Sequence, residues 1–393
     1  MLSMRAGSWQ MRAGSWPMRA GLWLAAFLLP PICSVAQTFP SSAGELKVET
    51  VAGGLVHPWS LAFLPDSRML VTERPGRMRI VTRSGQLSPP LGGIPEVFAQ
   101  GQAGLMDVIL ARDFAKSRTV YFCYAEPAAG GGGRIAIAHG QLMEDGRTNR
   151  LAAVKIIFHQ QGPASSGNNI GCRMAQAEDG NLFVTLGDHF SASAMAQTLD
   201  NHIGKIVRIT PDGKAPPDNP FVNKKDALPE IWAYGLRNPE GLAFNPADGK
   251  LWEQEHGPKG GDEINIIEKG KNYGWPVVSF GVNYDGTPVG TGKSQMPGMQ
   301  APVWHWTPSI APSGMAFYTG DLFPGWKGSL INGALKFELL SRLTLAGDSA
   351  VKEERLLQGL SERIRDVRQG PDGALYLLTD NQAGRILRIA PVK

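Results

Sequence analysis

The sequence has 393 residues, of which 42% are apolar and 19% charged, and glycine (48 residues) and proline (29) make up about a fifth of it. That share exceeds the usual ~12% but stays below the ~25–30% of low-complexity chains, which excludes a disordered or collagen-like protein. The formal net charge is +4, and Arg5, Arg12 and Arg19 carry three of these charges. The nearly neutral remainder therefore lacks the basic cluster that a nucleic-acid or anionic-membrane partner requires.

The first 36 residues have the features of a secretory signal peptide. Three arginines precede the apolar run Leu22–Leu29, which is followed by Pro30-Pro31 and the small-residue site Ser34-Val35-Ala36. The apolar run is much shorter than the ~20 residues that span a bilayer, so cleavage is favoured over a retained anchor. We expect a periplasmic or secreted protein with no membrane span in the mature chain, residues 37–393.

Six segments of this mature chain repeat one pattern, in which two apolar, β-branched or aromatic strands flank a turn centred on Asp, Asn or Gly. They are Ser60–Glu73, Met106–Tyr124, Cys172–Asp188, Gly241–Glu255, Ser313–Gly333 and Arg365–Asp380. Such turns between strands are a hairpin signal, and the intervals leave room for about four strands per repeat. The pattern predicts an all-β protein, a single six-bladed β-propeller domain.

The two ends of this domain are predicted to complete one blade together. Glu45–Leu55 and Gly384–Val392 both have the composition of strands. Pairing them would close the ring and remove its open edges, which are a liability in any sheet.

Two cysteines, Cys123 and Cys172, remain after the predicted cleavage. They could pair in an oxidising compartment, but the distance between their Cα atoms decides this, and the sequence leaves the question open.

Four polar, glycine-rich connections are candidates for function, since ligand sites of propellers lie in the loops around the channel. The first contains Gln102, and the second contains Arg237 and Asn238 side by side before a proline. Arg offers a planar fork and Asn both a donor and an acceptor, which suits recognition of a carboxylate or carbonyl. An ordinary turn and a structural salt bridge are the respective alternatives.

The third connection, Glu255–Asn265 with Gly270–Pro276, is rich in glycine and oxygen-bearing side chains. Glycines let backbone carbonyls turn inward, and Ca²⁺ requires 6–8 oxygen ligands. The spacing does not match an EF-hand loop. The fourth contains Lys336, Arg363 and Arg365. Two arginines two positions apart on a strand share a face and would converge on one anion, unless they are simply solvated charges.

The motifs GLRNPEG, EHGPKGGDEIN, KGKNYGWP, SGMAFY, GALK and RIRDVRQGPDG occur in this order. In this respect the chain resembles the soluble pyrroloquinoline-quinone (PQQ)-dependent sugar dehydrogenases, in particular the aldose sugar dehydrogenase branch, whose fold is a six-bladed propeller. The resemblance covers nearly the whole chain after the signal segment. It implies an aldose substrate, PQQ and Ca²⁺ as cofactors, and an electron acceptor that the sequence does not identify.

Carried over residue by residue, the resemblance implies two sets of site residues. The residues that hold PQQ would be Gln102, Arg237, Asn238, Tyr284, Lys336, Arg363 and Arg365. The carbonyls of Gly257 and Pro258 would bind the Ca²⁺ on the quinone, and Glu263 and Tyr273 match a second calcium site.

One position departs from the family pattern. Where the family has a histidine that takes the proton of the sugar's C1 hydroxyl, this chain has Asn169, in Gly167-Asn168-Asn169-Ile170-Gly171-Cys172-Arg173. Asparagine has no proton-accepting group with a useful pKa, and a positioned base contributes typically 10²–10⁴-fold. Asp188, His189 and His202 are alternative bases.

The leading hypothesis is a PQQ- and Ca²⁺-dependent aldose dehydrogenase that oxidises the C1 hydroxyl to the lactone, with activity made uncertain by Asn169. One alternative is a calcium-dependent lactonase-type hydrolase on the same propeller. The other is a catalytically silent propeller that binds PQQ or sugar.

Overall fold

The computed structural model describes residues 37–145 and 148–392. Across these residues, 24 strands form six antiparallel sheets arranged as the blades of a β-propeller, which confirms the predicted fold class. No helix in these ranges is both long and apolar enough to cross a membrane. The predicted signal peptide lies outside the described residues and stays a prediction, as does the domain start at residue 37.

The strands follow one another blade by blade. The described part of the chain begins with two strands of the last blade, β1 (Gln37–Phe39) and β2 (Leu46–Leu55). The strands of blades 1 and 2 are β3 (Pro58–Phe63), β4 (Met69–Glu73), β5 (Arg77–Val81), β6 (Leu105–Leu110), β7 (Thr119–Pro127), β8 (Gly133–Glu144) and β9 (Asn149–His159). Those of blade 3 are β10 (Gly171–Gln176), β11 (Leu182–Leu186), β12 (Lys205–Ile209) and β13 (Ile231–Tyr234).

The remaining blades continue this order. Blade 4 contains β14 (Pro239–Phe244), β15 (Leu251–Glu255), β16 (Asp262–Ile267) and β17 (Trp304–Trp306). Blade 5 contains β18 (Pro312–Phe317), β19 (Leu330–Ala334), β20 (Leu340–Ala346) and β21 (Ser349–Leu356). Blade 6 adds β22 (Ile364–Gln369), β23 (Leu375–Thr379) and β24 (Gly384–Pro391). The helical segments in the described ranges are short: α1 (Phe114–Ser117) and the 3₁₀ turns Ser193–Gln197 and Pro324–Trp326.

Blade 6 is closed by strands from both ends of the domain, as predicted. Strand β2 pairs antiparallel with β24, with Val48 opposite Ile389, and β1 adds a fifth strand outside β2. The ladder hydrogen bonds between β2 and β24 therefore hold the ring shut.

Blade 1 has three strands where about four were expected. The chain after β5 still runs beside it, because Ser88 N–H donates to the Ile80 carbonyl and Leu91 N–H to the Met78 carbonyl. Between these two bonds lie Pro89 and Pro90. Proline has no N–H to donate, so a regular ladder cannot form along this segment.

The innermost strands line the central channel and contact one another in a closed ring, in the order β3, β6, β10, β14, β18, β22 and back to β3. In all six, the first four residues are buried and the fifth is partly exposed. Each also has a register shift at its beginning, where it pairs with the second strand of its blade. Such bulges bend a strand and re-aim its side chains. The six bulges lie at one end of the channel, which is called the mouth below.

Buried ion pairs cross the channel below the mouth. Arg173 Nη1 lies 3.2 Å from the carboxylate of Asp107 and 3.1 Å from that of Asp366, and Arg368 pairs with both carboxylates. These four residues come from blades 2, 3 and 6. Removing one member of such a buried network leaves an uncompensated charge, which costs about 3–5 kcal/mol.

Cys123 of β7 and Cys172 of β10 form a disulfide, with their Cα atoms 5.9 Å apart. The bond joins blade 2 to the innermost strand of blade 3, three residues from Asn169. This answers the question that the sequence left open.

Candidate functional site

At the mouth, the same backbone hydrogen bond recurs in every blade and links two of its loops. A residue near the end of the second strand, or up to three residues after it, donates its N–H to the carbonyl of a residue just before the innermost strand. The six pairs are Arg74 to His57, Ala125 to Gly104, His189 to Asn169, His256 to Asn238, Leu335 to Ala311, and Asp380 to Arg363. The ring therefore has six equivalent positions. Residues predicted to bind PQQ lie on or beside four of them, those of blades 2, 4, 5 and 6, and Asn169 lies on that of blade 3.

A cavity of about 350 Å³ opens at the mouth beside blades 3 and 4. Three of the predicted site residues line it together: Arg237, Pro258 and Tyr284. The rest of the wall includes Asp188, Phe190, Ser193, Trp275, Asn283 and Asp285. Phe190 and Tyr284 are 53% and 62% exposed, with ring centroids 6.3 Å apart. The cavity thus has an aromatic rim and charged groups in its wall.

Arg237 is the cation of this cavity. Its Nη1 donates to the carbonyls of His256 (3.1 Å) and Gly257 (2.9 Å), and its guanidinium lies 5.3 Å from the ring centre of Trp275. Its Nε has no hydrogen-bond partner among the described residues. A predicted cofactor residue and a predicted calcium ligand, Gly257, are therefore in direct contact.

Asn169 is buried directly behind the cavity wall, where it contacts Gln102 and the wall residue Asp188. Its N–H donates to Gln102 Oε1 and its side-chain amide donates to Asp188 Oδ1, both at 2.8 Å. The φ of Asn169 is 48°, in the left-handed region that asparagine tolerates better than most residues. The position is thus built to hold a small amide side chain in a fixed direction.

Asp188 is fully buried and accepts three hydrogen bonds. Besides Asn169, the donors are the Phe190 N–H and the Trp275 indole, each 2.7 Å away. Burial raises the pKa of Asp188, and the charge of Arg237 and these hydrogen bonds oppose the rise. Its carboxylate therefore holds three neighbouring groups of the site in place.

The two histidines considered as alternative bases are both buried, and neither lines the cavity. His189 Nδ1 bonds the Pro163 carbonyl at 3.0 Å, and burial lowers the pKa of His189 to about 4. His202 accepts a hydrogen bond from the Gln161 N–H and packs against Phe158. Neither is placed to take a proton from a ligand in the cavity.

Asn238 is also fully buried and connects blades 3 and 4. Its Oδ1 accepts from the Gly171 N–H (3.0 Å) and its Nδ2 donates to Glu240 Oε1 (3.2 Å). These contacts hold the loop of Asn169 against that of Arg237.

Arg363 and Arg365 do reach one anion, and it is the carboxylate of Asp380. Arg365 Nη2 lies 2.9 Å and Arg363 Nη2 3.9 Å from its Oδ2. Their surroundings differ because the register of β22 shifts between Ile364 and Asp366. Arg365 is buried and also pairs with Glu240, whereas the side chain of Arg363 is 49% exposed. Although burial raises the pKa of Asp380, the charge of Arg365 outweighs it and holds the pKa well below its usual range.

Lys336 lies at the mouth on the connection after β19. It is exposed, and its Nζ lies 5.8 Å from the ring centre of Phe337. It forms no ion pair with any residue in 37–145 or 148–392. Its charge is therefore available to a ligand.

Behind the cavity lies a group of three acids: Glu253 and Glu255, which are buried, and Glu263, which is partly exposed. Burial raises the pKa of each, and the charge of Glu255 raises the pKa of the other two further. Glu253 Oε1 and Asn265 Oδ1 have no hydrogen-bond partner in the described chain. Oxygens of this kind would be stabilised by a cation.

The residues predicted to bind calcium differ in how free they are to do so. The Tyr273 hydroxyl is already satisfied, because it donates to the Ile266 carbonyl (2.7 Å) and accepts from the Glu268 N–H (2.8 Å). Within residues 37–145 and 148–392, no three His, Cys, Asp or Glu side chains form a metal-ligand cluster. A calcium ion at the mouth would depend mainly on carbonyls, as the sequence expectation for Gly257 and Pro258 has it.

Several residues of the site were not found by sequence reasoning. Trp275 lies in the motif KGKNYGWP, and the acids of the strand LWEQE interrupt an apolar pattern, so both left a signal. Phe190 and Arg74 left none, since each is a single residue after an ordinary strand.

A six-bladed propeller with cations, amides and a lined cavity at its channel mouth belongs to the class of propellers that bind small molecules there. The chain matches the family model described as glucose/sorbosone dehydrogenase over residues 55–388, and it is a member of that family. The aldose sugar dehydrogenase YliI of Escherichia coli is 44% identical to it over 367 residues, which are 93% of this chain and 98% of the relative.

Solved structures agree with this assignment. The apo form of the soluble aldose sugar dehydrogenase from Escherichia coli has a TM-score of 0.85 at 43% identity and covers 88% of this chain and 100% of its own. The PQQ-bound form of an aldose sugar dehydrogenase from Streptomyces coelicolor has a TM-score of 0.72 at 29% identity, with 88% and 98% covered. The resemblance seen in the sequence is therefore confirmed.

Proposed function

We propose that this chain is a PQQ-dependent aldose dehydrogenase that oxidises the C1 hydroxyl of an aldose to the lactone. The observation that carries the proposal is that two cations, Arg237 in the cavity wall and Lys336 at the mouth, form no ion pair with a carboxylate in residues 37–145 and 148–392. Cations held around a cavity repel one another and are stabilised by a bound anion. The names of the Escherichia coli and Streptomyces relatives support the same activity.

Bound PQQ would supply a quinone that accepts the hydride from C1 of the sugar. Arg237, Lys336 and Arg363 would pair with its carboxylates, and Tyr284 forms an exposed edge of the cavity. Asn238 and Arg365 use most of their side-chain polar atoms to hold the loops of the mouth, and Gln102 uses its Oε1 in the same way. Arg365 still has an unpartnered Nε that can donate to the cofactor.

Calcium belongs to the proposal as a Lewis acid beside the quinone. The carbonyls of Gly257 and Pro258 would hold it, with Arg237 releasing the Gly257 carbonyl that it now binds. For the second ion, Glu263 and Tyr273 are the proposed ligands. The unpartnered Glu253 Oε1 nearby supports this site, because a divalent ion would let the buried acids stay ionised.

Asn169 orients the sugar in this proposal and does not act as a base. The Asp188 carboxylate only accepts hydrogen bonds, so it fixes the Asn169 amide with Nδ2 toward itself and leaves Oδ1 as an acceptor for a sugar hydroxyl. Without a positioned base, turnover is about 10²–10⁴-fold below that of an enzyme with one. The same observation favours a second candidate, a propeller that binds PQQ and sugar without turnover.

A periplasmic or secreted location is part of the proposal. The signal-like segment at residues 1–36 predicts export. The disulfide between Cys123 and Cys172 supports it, since disulfides persist in oxidising compartments.

The test is a titration of the purified protein with PQQ in the presence and absence of Ca²⁺, followed by the absorbance spectrum before and after adding glucose or another aldose. We expect saturable, calcium-dependent binding and slow conversion of quinone to quinol. A bound quinone that stays oxidised with every aldose selects the silent candidate. Failure to bind PQQ with calcium present would refute both.

A further inference from the structure

At the mouth, one charged residue, Arg74, has no role in the proposed site. In the ring of six backbone hydrogen bonds described above, blades 2 to 6 each provide a predicted site residue on or beside their pair. In blade 1 the pair is His57 and Arg74, joined by the Arg74 N–H and the His57 carbonyl at 3.0 Å. Arg74 therefore occupies the position in blade 1 that Asp380 occupies in blade 6.

The Arg74 side chain lies between two predicted cofactor residues. Its Nη1 donates to the carbonyl of Gly101 at 2.8 Å, next to Gln102 of blade 2. On the other side, its charge interacts with those of Arg363, Arg365 and Asp380 in blade 6. The guanidinium of this blade 1 residue thus lies between the loop that leads into blade 2 and the charged groups of blade 6.

Arg74 has no carboxylate of its own. In the part of the chain that the structure describes, its guanidinium makes the one hydrogen bond to Gly101 and no ion pair. Asp380 is committed to Arg365 and His57, with which it forms a 2.9 Å and a 2.8 Å contact. Burial lowers the pKa of Arg74; the charges of Asp380 and Glu240 raise it, and those of Arg365 and Arg363 lower it. A half-buried cation among like charges is stabilised by an anion at the mouth.

We propose that Arg74 binds a carboxylate of the cofactor, so that blade 1 completes a ring of contacts to a polycarboxylate anion at the channel mouth. The inference rests on the proposed function, because PQQ is that anion. The free edge of the guanidinium offers a carboxylate the planar fork that favours two parallel hydrogen bonds. Arg74 is a binding residue in this scheme and takes no part in proton transfer.

The test compares wild type with Arg74→Gln and with Arg112→Gln. Arg112 is exposed beyond the far end of β6, so its loss changes the net charge equally at the opposite end of the channel. Equilibrium binding is measured by fluorescence titration with PQQ and with benzene-1,3,5-tricarboxylate, a redox-silent probe, at low and moderate salt. We expect Arg74→Gln to weaken both affinities about tenfold and to reduce their salt dependence, and Arg112→Gln to leave them unchanged.

Arg74→Lys separates charge from shape. It keeps the positive charge without the planar fork, so its affinities should fall between those of wild type and Arg74→Gln. Thermal unfolding of each variant shows whether the fold survives loss of the Gly101 contact. If Arg74→Gln does not fold, the result for Arg74→Lys decides, and wild-type affinity for that variant would overturn a role for the fork.

The outcomes also separate this inference from the proposed function. PQQ binding that is equal in wild type and Arg74→Gln overturns the role of Arg74 and leaves the dehydrogenase proposal standing. Absence of PQQ binding in wild type overturns both.

Discussion

The side-chain amide of Asn169 donates a 2.8 Å hydrogen bond to the buried carboxylate of Asp188. Two further donors, from Phe190 and Trp275, hold the same carboxylate. Asp188 therefore cannot reorient without losing hydrogen bonds that hold it in the wall. The pair fixes the direction of the Asn169 carbonyl oxygen and leaves the cavity without a free base at this point.

Replacing Asn169 with histidine should raise turnover by about 10²–10⁴-fold, because an imidazole here could donate to Asp188 and accept a proton with its other nitrogen. The measurement is kcat for an aldose with saturating PQQ and Ca²⁺, from pH 5 to 9. The rate of Asn169→His should fall below the ordinary histidine pKa of about 6.5. The matched control is Asn168→His, at the exposed neighbouring position. Equal rates in wild type and Asn169→His would show that position 169 does not limit turnover.

Arg363 and Arg365 should separate in their effects on stability and on binding. Arg365→Met leaves Glu240 buried without its partner, so the free energy of unfolding should fall by about 3–5 kcal/mol. Arg363→Met removes a half-exposed cation with a long 3.9 Å contact, and should change stability by less than about 1 kcal/mol. Its PQQ affinity should nevertheless fall about tenfold. Urea unfolding and PQQ titration measure the two effects, and equal losses of stability would contradict this division.

Lys205 predicts a pH dependence of stability. It is fully buried, its Nζ donates to the carbonyls of Met195, Ala196 and Ile203, and burial lowers its pKa from 10.5 to about 7. The unfolded chain then binds the proton more tightly, so stability rises with pH between about 7 and 10.5. From pH 7 to 9 this gain is about 2 kcal/mol.

The measurement for Lys205 is urea unfolding of wild type and Lys205→Arg at pH 7 and pH 9. Arginine stays charged throughout this range, so the variant lacks the gain. The difference in unfolding free energy between the two proteins should grow with pH. A constant difference would show that Lys205 does not change its protonation in this window.

The disulfide between blades 2 and 3 should stabilise the ring by about 2–4 kcal/mol, because it closes a loop of the unfolded chain across a sequence separation of 49. Reduction with dithiothreitol should lower the melting temperature of wild type. The double variant Cys123→Ser/Cys172→Ser should melt near the reduced wild type and should not respond to the reductant. A wild type whose melting temperature is unaffected by complete reduction would contradict the prediction.

The fold was largely predictable because the repeats are local. Each repeat contains an apolar strand, a tight turn and a second strand within about twenty residues. The closing pair of β2 and β24 was recognisable from composition. The missing strand of blade 1 was not, because Pro89 and Pro90 remove donors from a ladder that sequence alone does not place.

The site was predictable only where motifs carry it. The family resemblance named Arg237, Pro258 and Tyr284, which line one cavity. It gave no means to see that Arg365 pairs with Glu240, 125 residues away in the chain. The role of Arg74 could not be predicted for a similar reason, since its neighbours at the mouth come from the second and the last blade. Contacts of this kind follow from ring closure, which is a long-range property.

The pairing of β2 with β24 sets the order in which this molecule can be completed. Strand β2 ends at Leu55, and its partner β24 begins only at Gly384. During synthesis, one edge of β2 therefore stays unpaired while the five intervening blades are made. Blades 1 and 6 become neighbours only when that partner arrives, and the groups of Arg74, Arg363 and Asp380 meet at the same moment. A chain stopped before β24 would contain nearly every site residue and still lack a finished site.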